Sequence, residues 1–311
     1  MANSGHGALP PELITVGDWL RHAATTFARA ELHYGHGTMA AWDEAVALVL
    51  GWLRIPEDRA EALLGAHLTA AECAALAECV RKRVEERVPV PYLTGQAHFG
   101  GLLFEVDSRV LIPRSPMAEL LQDGLQPWLG QRLPQRILDL GTGSGCIGIL
   151  AAMVFPEAEV LLADVSLDAL DVASRNIRLH GLEDRVETRQ SDLFSGCITE
   201  RFDLILCNPP YVDTADLASM PMEFQHEPRS ALAGGGSDGL ELVQRLLRSA
   251  AVHLADGGLL VLEVGNSAPA LLERWPALEW IWPELEAGGF GVGLIEQAAL
   301  ARAVNEDGPK G

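Results

Sequence analysis

From Arg136 onward, short apolar runs alternate with stretches of helical spacing: Arg136-Ile-Leu-Asp-Leu140, then Gly145 to Phe155, Glu159-Val-Leu-Leu-Ala-Asp164, Leu167 to His180, Arg185-Val-Glu-Thr-Arg189 and Phe202-Asp-Leu-Ile-Leu-Cys207. This rhythm predicts an α/β fold, a parallel sheet with helices on both faces, because parallel neighbours need a crossover connection and a helix makes it compactly. Further strands are expected at Leu259 to Val264 and Val292 to Glu296, after a helix from Asp238 to Leu254. No internal repeat interrupts the pattern, while Gly234-Gly235-Gly236 and the last few residues read as mobile.

The half upstream is different. Between residues 12 and 87, Leu13, Val16, Leu20 and Ala24 recur at helical spacing, as do Trp42, Ala45, Val46, Val49 and Leu50. Thr69-Ala-Ala-Glu72 is a capping box that opens a helix through Val84, stopped at Pro89. Ala97 to Leu111 carries β-branched and aromatic residues around Gly100-Gly101 and Asp107-Ser108, the pattern of a hairpin. The expected division is a small helical domain over 1–90, a hairpin linker over 91–114 and the α/β domain over 115–311. A chain of 311 residues, 48% of them apolar, is long enough to give both domains a core.

Charge and composition remove several functions. With 23 Lys and Arg against 43 Asp and Glu, the net charge of −20 repels phosphate backbones, so no direct reading of nucleic acid is expected. The longest apolar run, Cys146 to Phe155, is about ten residues where a membrane span needs roughly twenty. Met1 to Pro11 lacks a basic stretch leading into an apolar one, so a cytoplasmic protein is expected. Cys73, Cys79, Cys146, Cys197 and Cys207 form an odd set without a C-x-x-C pair, and the nine histidines show neither H-x-x-x-H nor H-E-x-x-H. Neither disulfides nor a metal site is expected.

Two motifs carry chemistry. Asp139-Leu-Gly141-Thr142-Gly143-Ser-Gly145 follows a strand and opens a helix, where glycines admit a ligand to the backbone and a helix N-terminus offers unpaired N–H groups. The next strand ends at Asp164, 21 residues beyond Gly143, the interval at which an acidic side chain can take both hydroxyls of a ribose. A nucleoside cofactor follows, and because Gly143, Gly145 and Gly148 also satisfy G-x-G-x-x-G, a dinucleotide stays open. The second motif, Asn208-Pro209-Pro210-Tyr211, comes directly after Phe202 to Cys207. Its prolines remove backbone donors, so the turn presents two acceptors, the Asn208 side-chain oxygen and the Pro209 carbonyl, which suit an NH₂ group. Tyr211 adds an aromatic face for a flat substrate.

On these residues the chain resembles the class I, Rossmann-like S-adenosylmethionine-dependent methyltransferases that act on planar amino or amide nitrogens. Within them it is similar to the protein-glutamine N5-methyltransferases of the HemK/PrmC and PrmB group. The likeness runs from Pro91-Tyr-Leu-Thr-Gly-Gln96 through Ile112-Pro-Arg114, the glycine loop, the Asn-Pro-Pro-Tyr turn, His226-Glu-Pro-Arg-Ser230 and Gly234-Gly-Gly-Ser-Asp-Gly-Leu240 to Leu262-Glu-Val-Gly265. Where the release-factor branch continues after Ile-Pro-Arg as a Pro-Glu-Thr-Glu-like run, this chain has Ser115-Pro-Met-Ala-Glu119. With Tyr34-Gly-His-Gly-Thr38 and Trp42-Asp-Glu-Ala45, that departure resembles the PrmB branch, which implies a glutamine of large-subunit ribosomal protein L-three as substrate, free or in an assembly intermediate.

The resemblance implies S-adenosyl-L-methionine as methyl donor and S-adenosyl-L-homocysteine as product. It places Asp139, Gly141 and Gly143 along the methionine part of the cofactor, with Thr142 and Gly145 in the same loop, Asp164 on the ribose and Asp192 at the adenine. Asn208, Pro209, Pro210 and Tyr211 become the catalytic turn, with Asn208 also beside the cofactor. His226, Glu227 and Glu263 receive no catalytic role: a loop His-Glu-Pro is usually structural, and an acidic residue at a strand end often caps a loop. Three readings stand: a glutamine methyltransferase, with a release factor as the alternative substrate; a nucleic-acid amino-methyltransferase, which the acidic charge disfavours; and a non-catalytic nucleotide-binding module.

Overall fold

The computed structural model describes residues 13–286 and 291–306. The N-terminal stretch to Pro11 and the last residues, read above for a signal and for mobility, lie outside the described residues. The chain forms two compact units, residues 1–96 with 221–226, and residues 97–220 with 227–311.

The first unit is helical: α1 Val16–Arg29, α2 Ala41–Leu53, α3 Ala60–Leu63, α4 Ala70–Glu85 and α5 Val90–Thr94. Both long outer helices start on reciprocal caps, Thr15 with Asp18 and Thr69 with Glu72, the second as expected from sequence. Val16, Trp19, Leu20, Ala23 and Phe27 of α1 pack with Ala45, Leu48, Val49 and Leu50 of α2 and Leu76 and Val80 of α4. Trp42, counted above with the apolar stripe, instead stands 55% exposed in the first turn of α2. Beneath these apolar contacts Arg83 is fully buried, its guanidinium donating to Glu44 at 3.1 Å, to Glu223 at 3.1 Å and to the His33 carbonyl at 2.9 Å.

The second unit opens with the expected hairpin, β1 Gln96–Phe99 and β2 Leu102–Glu105. Gly100 and Gly101, at φ 55° and 78°, supply the two left-handed positions of a tight two-residue turn. The hairpin is shorter than its sequence pattern. It ends at Glu105, because Asp107 turns back to accept the backbone N–H of Arg109 at 3.1 Å.

After α6 Met117–Gln122 come β3 Arg136–Leu140, α7 Cys146–Val154, β4 Glu159–Asp164, α8 Leu167–Leu179, β5 Val186–Gln190, β6 Phe202–Cys207, α9 Thr214–Ser219, α10 Glu241–His253, β7 Leu254–Glu263, α11 Ala268–Arg274, β8 Val292–Glu296 and α12 Gln297–Glu306. Among the described residues the strands make a six-stranded sheet in the order β5-β4-β3-β6-β7-β8. Alternate side chains feed opposite faces. Ile137, Leu204 and Leu206 join the core under α7, whereas Leu138, Ile205 and Cys207 join the one under α10 and α12. The sheet is mixed rather than wholly parallel, since β8 pairs antiparallel with β7. At that edge Ile281 and Leu294 exchange backbone hydrogen bonds of 2.9 Å, so the outer ladder is partly covered.

Candidate active site

Sheet register decides where the two motifs meet. Leu140, the last residue of β3, lies opposite Cys207, the last of β6, and opposite Ala163 of β4. The glycine loop and the Asn-Pro-Pro-Tyr turn therefore leave the sheet side by side at its carboxyl edge, where the strand order reverses direction and α/β sheets bind ligands. A cleft there is lined by Gly141, Gly143, Asp164, Asp192, Asn208 and Pro209 among others.

The glycine loop is anchored by hydrogen bonds within the chain. Gly141 and Thr142 donate to the Ala163 carbonyl at 2.8 and 3.1 Å, and Gly145, at φ 83°, turns the chain into α7. Asp164 accepts from the Gly143 N–H at 3.0 Å and the Ser166 N–H at 2.9 Å, so the acidic residue at the end of β4 also fixes the loop of β3. Each carboxylate oxygen takes one of these bonds and so retains acceptor capacity, and the residue lines the cleft.

Asp139 sits differently. It is 1% exposed and behind the loop, off the cleft wall, with Oδ2 accepting from the Thr142 hydroxyl at 2.5 Å and the Gly148 N–H at 3.0 Å. Oδ1 is buried and, among the described residues, finds no hydrogen-bond partner. Burial, reinforced by the charge of Asp164, pushes its carboxyl up to about 6, despite the hydrogen bonds that favour the ionised form. Both Asp139 and the buried Thr142 shape the loop from within.

Asp192 is exposed on the cleft rim, held by Arg245 at 2.8 Å and by the Ser195 hydroxyl on its N–H at 3.0 Å. Next to it Leu193 adopts a left-handed backbone at φ 51°, a conformation that costs a side-chain-bearing residue about 1 kcal/mol or more, with its carbonyl held by the Ser191 hydroxyl. Leu193, Val165 and Leu242 line the cleft as apolar walls. They were not singled out from sequence, although Val165 and Leu193 directly follow Asp164 and Asp192. Asn176 was missed as well. Fully buried on α8, it donates to Ser144 of the glycine loop and brackets the Glu105 backbone, accepting from its N–H at 2.7 Å and donating to its carbonyl at 2.9 Å.

Asn208 is half-buried, Pro209 is buried, and Tyr211 donates its phenol to Glu263 at 2.8 Å. Burial first, then the adjacent carboxylate, lifts the Tyr211 hydroxyl far above its ordinary range, so it stays protonated. Glu227 is buried and takes the Ile112 N–H at 3.0 Å and a two-pronged Arg114 at 2.6 and 2.8 Å, and His226 engages the Glu86 carbonyl at 2.8 Å. Both fit the structural role expected of a His-Glu-Pro loop.

A family model described as the methyltransferase small domain matches residues 119–240. The ribosomal protein uL3 glutamine methyltransferase of Bordetella pertussis (strain Tohama I) is 46% identical to this chain over 290 residues, covering 93% of this chain and 97% of its own. That of Francisella tularensis subsp. tularensis (strain SCHU S4) is 41% identical over 291 residues, covering 93% and 92%.

Proposed function

This chain belongs to the ribosomal protein uL3 glutamine methyltransferase family, and on that premise we propose that its cleft methylates the side-chain amide nitrogen of a glutamine in uL3. One observation supports this most directly: the β3–β6 register sets an anchored glycine loop beside a turn that offers acceptors and no backbone donors at its prolines.

S-adenosylmethionine, when bound, supplies an electrophilic methyl on a sulfonium. The lining suits such a molecule, with Asp164 for ribose hydroxyls, apolar Val165, Leu193 and Leu242 for a flat base, and Asp192 at the rim. Gly141 and Gly143 let the backbone come close to the rest.

An amide nitrogen is a poor nucleophile because its lone pair is delocalised into the carbonyl. The Asn208 oxygen and the Pro209 carbonyl accept its two N–H bonds, turn the lone pair toward the methyl and stabilise the positive charge that builds on nitrogen. Pro209 and Pro210 hold the turn rigid, so positioning supplies much of the rate. No side chain in the turn is a base. As the C–N bond formed, the electron pair of the C–S bond would leave with S-adenosylhomocysteine, and the strongly acidic methylated nitrogen would then lose its proton to water.

Substrate choice falls to the helical unit, where Met39 is 88% and Trp42 55% exposed. The acidic chain steers a basic ribosomal protein, and the reaction takes place in the cytoplasm, where that protein is made. Among the described residues no helix is long and apolar enough to cross a membrane. The test is incubation with labelled S-adenosylmethionine and separated ribosomal proteins, release factors and ribosomal RNA, followed by peptide mass spectrometry. One methyl on a uL3 glutamine is expected. Preferential labelling of a release factor, or of RNA, overturns the assignment.

A further inference from the structure

Glu263 ends β7 with its side chain almost wholly buried, and both its oxygens are occupied by hydroxyls. Oε1 accepts the phenol of Tyr211 at 2.8 Å and Oε2 accepts Ser115 Oγ–H at 2.5 Å. Ser115 in turn accepts the Met117 N–H at 3.2 Å, so its hydroxyl is tied on both sides.

The residues just after Glu263 grip the same tyrosine. Gly265, at φ 47°, lies so close that a Cβ there would fall 2.6 Å from Cε2 of the Tyr211 ring. Ser267 Oγ donates to the Tyr211 carbonyl at 2.9 Å. Residues 263–267 thus hold Tyr211 by its hydroxyl, its ring and its backbone.

A carboxylate buried in this way is a poor packing device. Removing it from water costs several kcal/mol, and an apolar side chain of similar volume is often neutral or better for stability. Its two hydroxyl partners offset the burial only while both donate. What the carboxylate provides, and an apolar group cannot, is a fixed azimuth for the Tyr211 phenol.

We propose that Glu263 and Ser115 are positioning residues of the methyl transfer, which fix the Tyr211 phenol and, through it, the angle at which Asn208 and Pro209 present their acceptors. Neither touches the reacting atoms. This rests on reading the Asn208–Tyr211 turn as the amide pocket. Ser115 opens the segment in which this chain departs from its release-factor relatives, so the contact ties a branch-specific residue to the shared turn.

The test is a set of double-mutant cycles on the full-length protein with uL3 as substrate. Glu263→Gln keeps the volume but replaces one acceptor oxygen with a donor, so one hydroxyl loses its acceptor. It is expected to lower kcat about ten- to a hundredfold with KM and cofactor affinity changed less than threefold. Tyr211→Phe should lower kcat similarly, and the double variant should be no slower than the slower single one. Ser115→Ala, a milder change that leaves the charge in place, should lower kcat in the native background and leave it unaltered in the Tyr211→Phe background. Full kcat in Glu263→Gln overturns the proposal, as do losses that multiply in the double variants. So does a Glu263→Gln effect confined to KM or melting temperature. Native enzyme that leaves uL3 unmethylated overturns the underlying reading and this proposal with it, whereas active native enzyme with uncoupled variants overturns the proposal alone.

Discussion

Replacing Arg83 with methionine keeps most of the stem's apolar bulk and removes the guanidinium from between two carboxylates that are 2% and 3% exposed, Glu44 and Glu223. Glu223 keeps the His33 N–H at 3.1 Å and the Arg87 guanidinium at 3.8 Å, but Glu44 loses the cation that offset its burial. Breaking a buried pair by deleting one partner costs about 3–5 kcal/mol, most of it from the uncompensated charge left behind. Glu44 can escape by binding a proton. Burial already raises its carboxyl in the native chain against the pull of Arg83, and the variant raises it further. A group whose folded pKa lies above its unfolded value costs stability increasingly as pH climbs from the lower value to the upper. The loss should therefore be greatest near pH 8 and shrink toward pH 5, and adding Glu44→Gln should recover part of it. Because a chain of two units need not unfold in one step, the assay is native-state hydrogen exchange by mass spectrometry on α1, α2, α4 and the 221–226 peptide. A loss of 3–5 kcal/mol accelerates exchange through opening of the helical unit by roughly two to nearly four decades. Acceleration below tenfold, or an equal effect at pH 5 and pH 8, would refute the reasoning.

Four further outcomes are expected. Asn208→Ala should slow methyl transfer about a hundredfold to a thousandfold while calorimetry shows nearly unchanged cofactor binding, by analogy with removing one oxyanion-hole donor. Asp164→Ala should weaken S-adenosylmethionine binding by about 1–3 kcal/mol, and more than a ribose contact alone explains, since the same carboxylate ties down the Gly143 and Ser166 N–H groups. Asp139, with its carboxyl raised to about 6, lets the folded chain hold a proton that the unfolded chain releases near 4, so its contribution is lost as pH rises through 6. Native-state hydrogen exchange on the sheet should show that Asp139→Asn removes about 2 kcal/mol of this decline between pH 4 and pH 7. Last, rising salt should raise KM for uL3 with little change in kcat, and Trp42→Ala should act on KM alone. A truncation near residue 90 would test this less cleanly, because residues 221–226 belong to the helical unit and would lose Arg83.

Local pattern made the α/β half legible. The apolar runs at β3, β4, β6 and β8, the glycine loop, the hairpin turn and the Thr69–Glu72 cap all depend on spacing within a few residues, and that spacing is written along the chain. That each motif directly follows a strand was legible too, whereas the β3–β6 pairing decided that those strands are neighbours. What tertiary structure decided is which way a side chain faces and which distant residues it meets. Asp139 belongs behind the glycine loop because the β3–α7 turn folds over it, and no local pattern distinguishes a carboxylate that faces a cleft from one that faces its own loop. Glu263 looked like an ordinary strand-end acid until β7 came to lie beside β6 and carried it to Tyr211 and, 148 residues away in sequence, to Ser115. Arg83 and Glu223 stand 140 residues apart, and nothing local to either points to the other. Only a fold that closes apolar helices over both makes them a buried pair, since a charge removed from water must find its counter-charge wherever the chain can bring one.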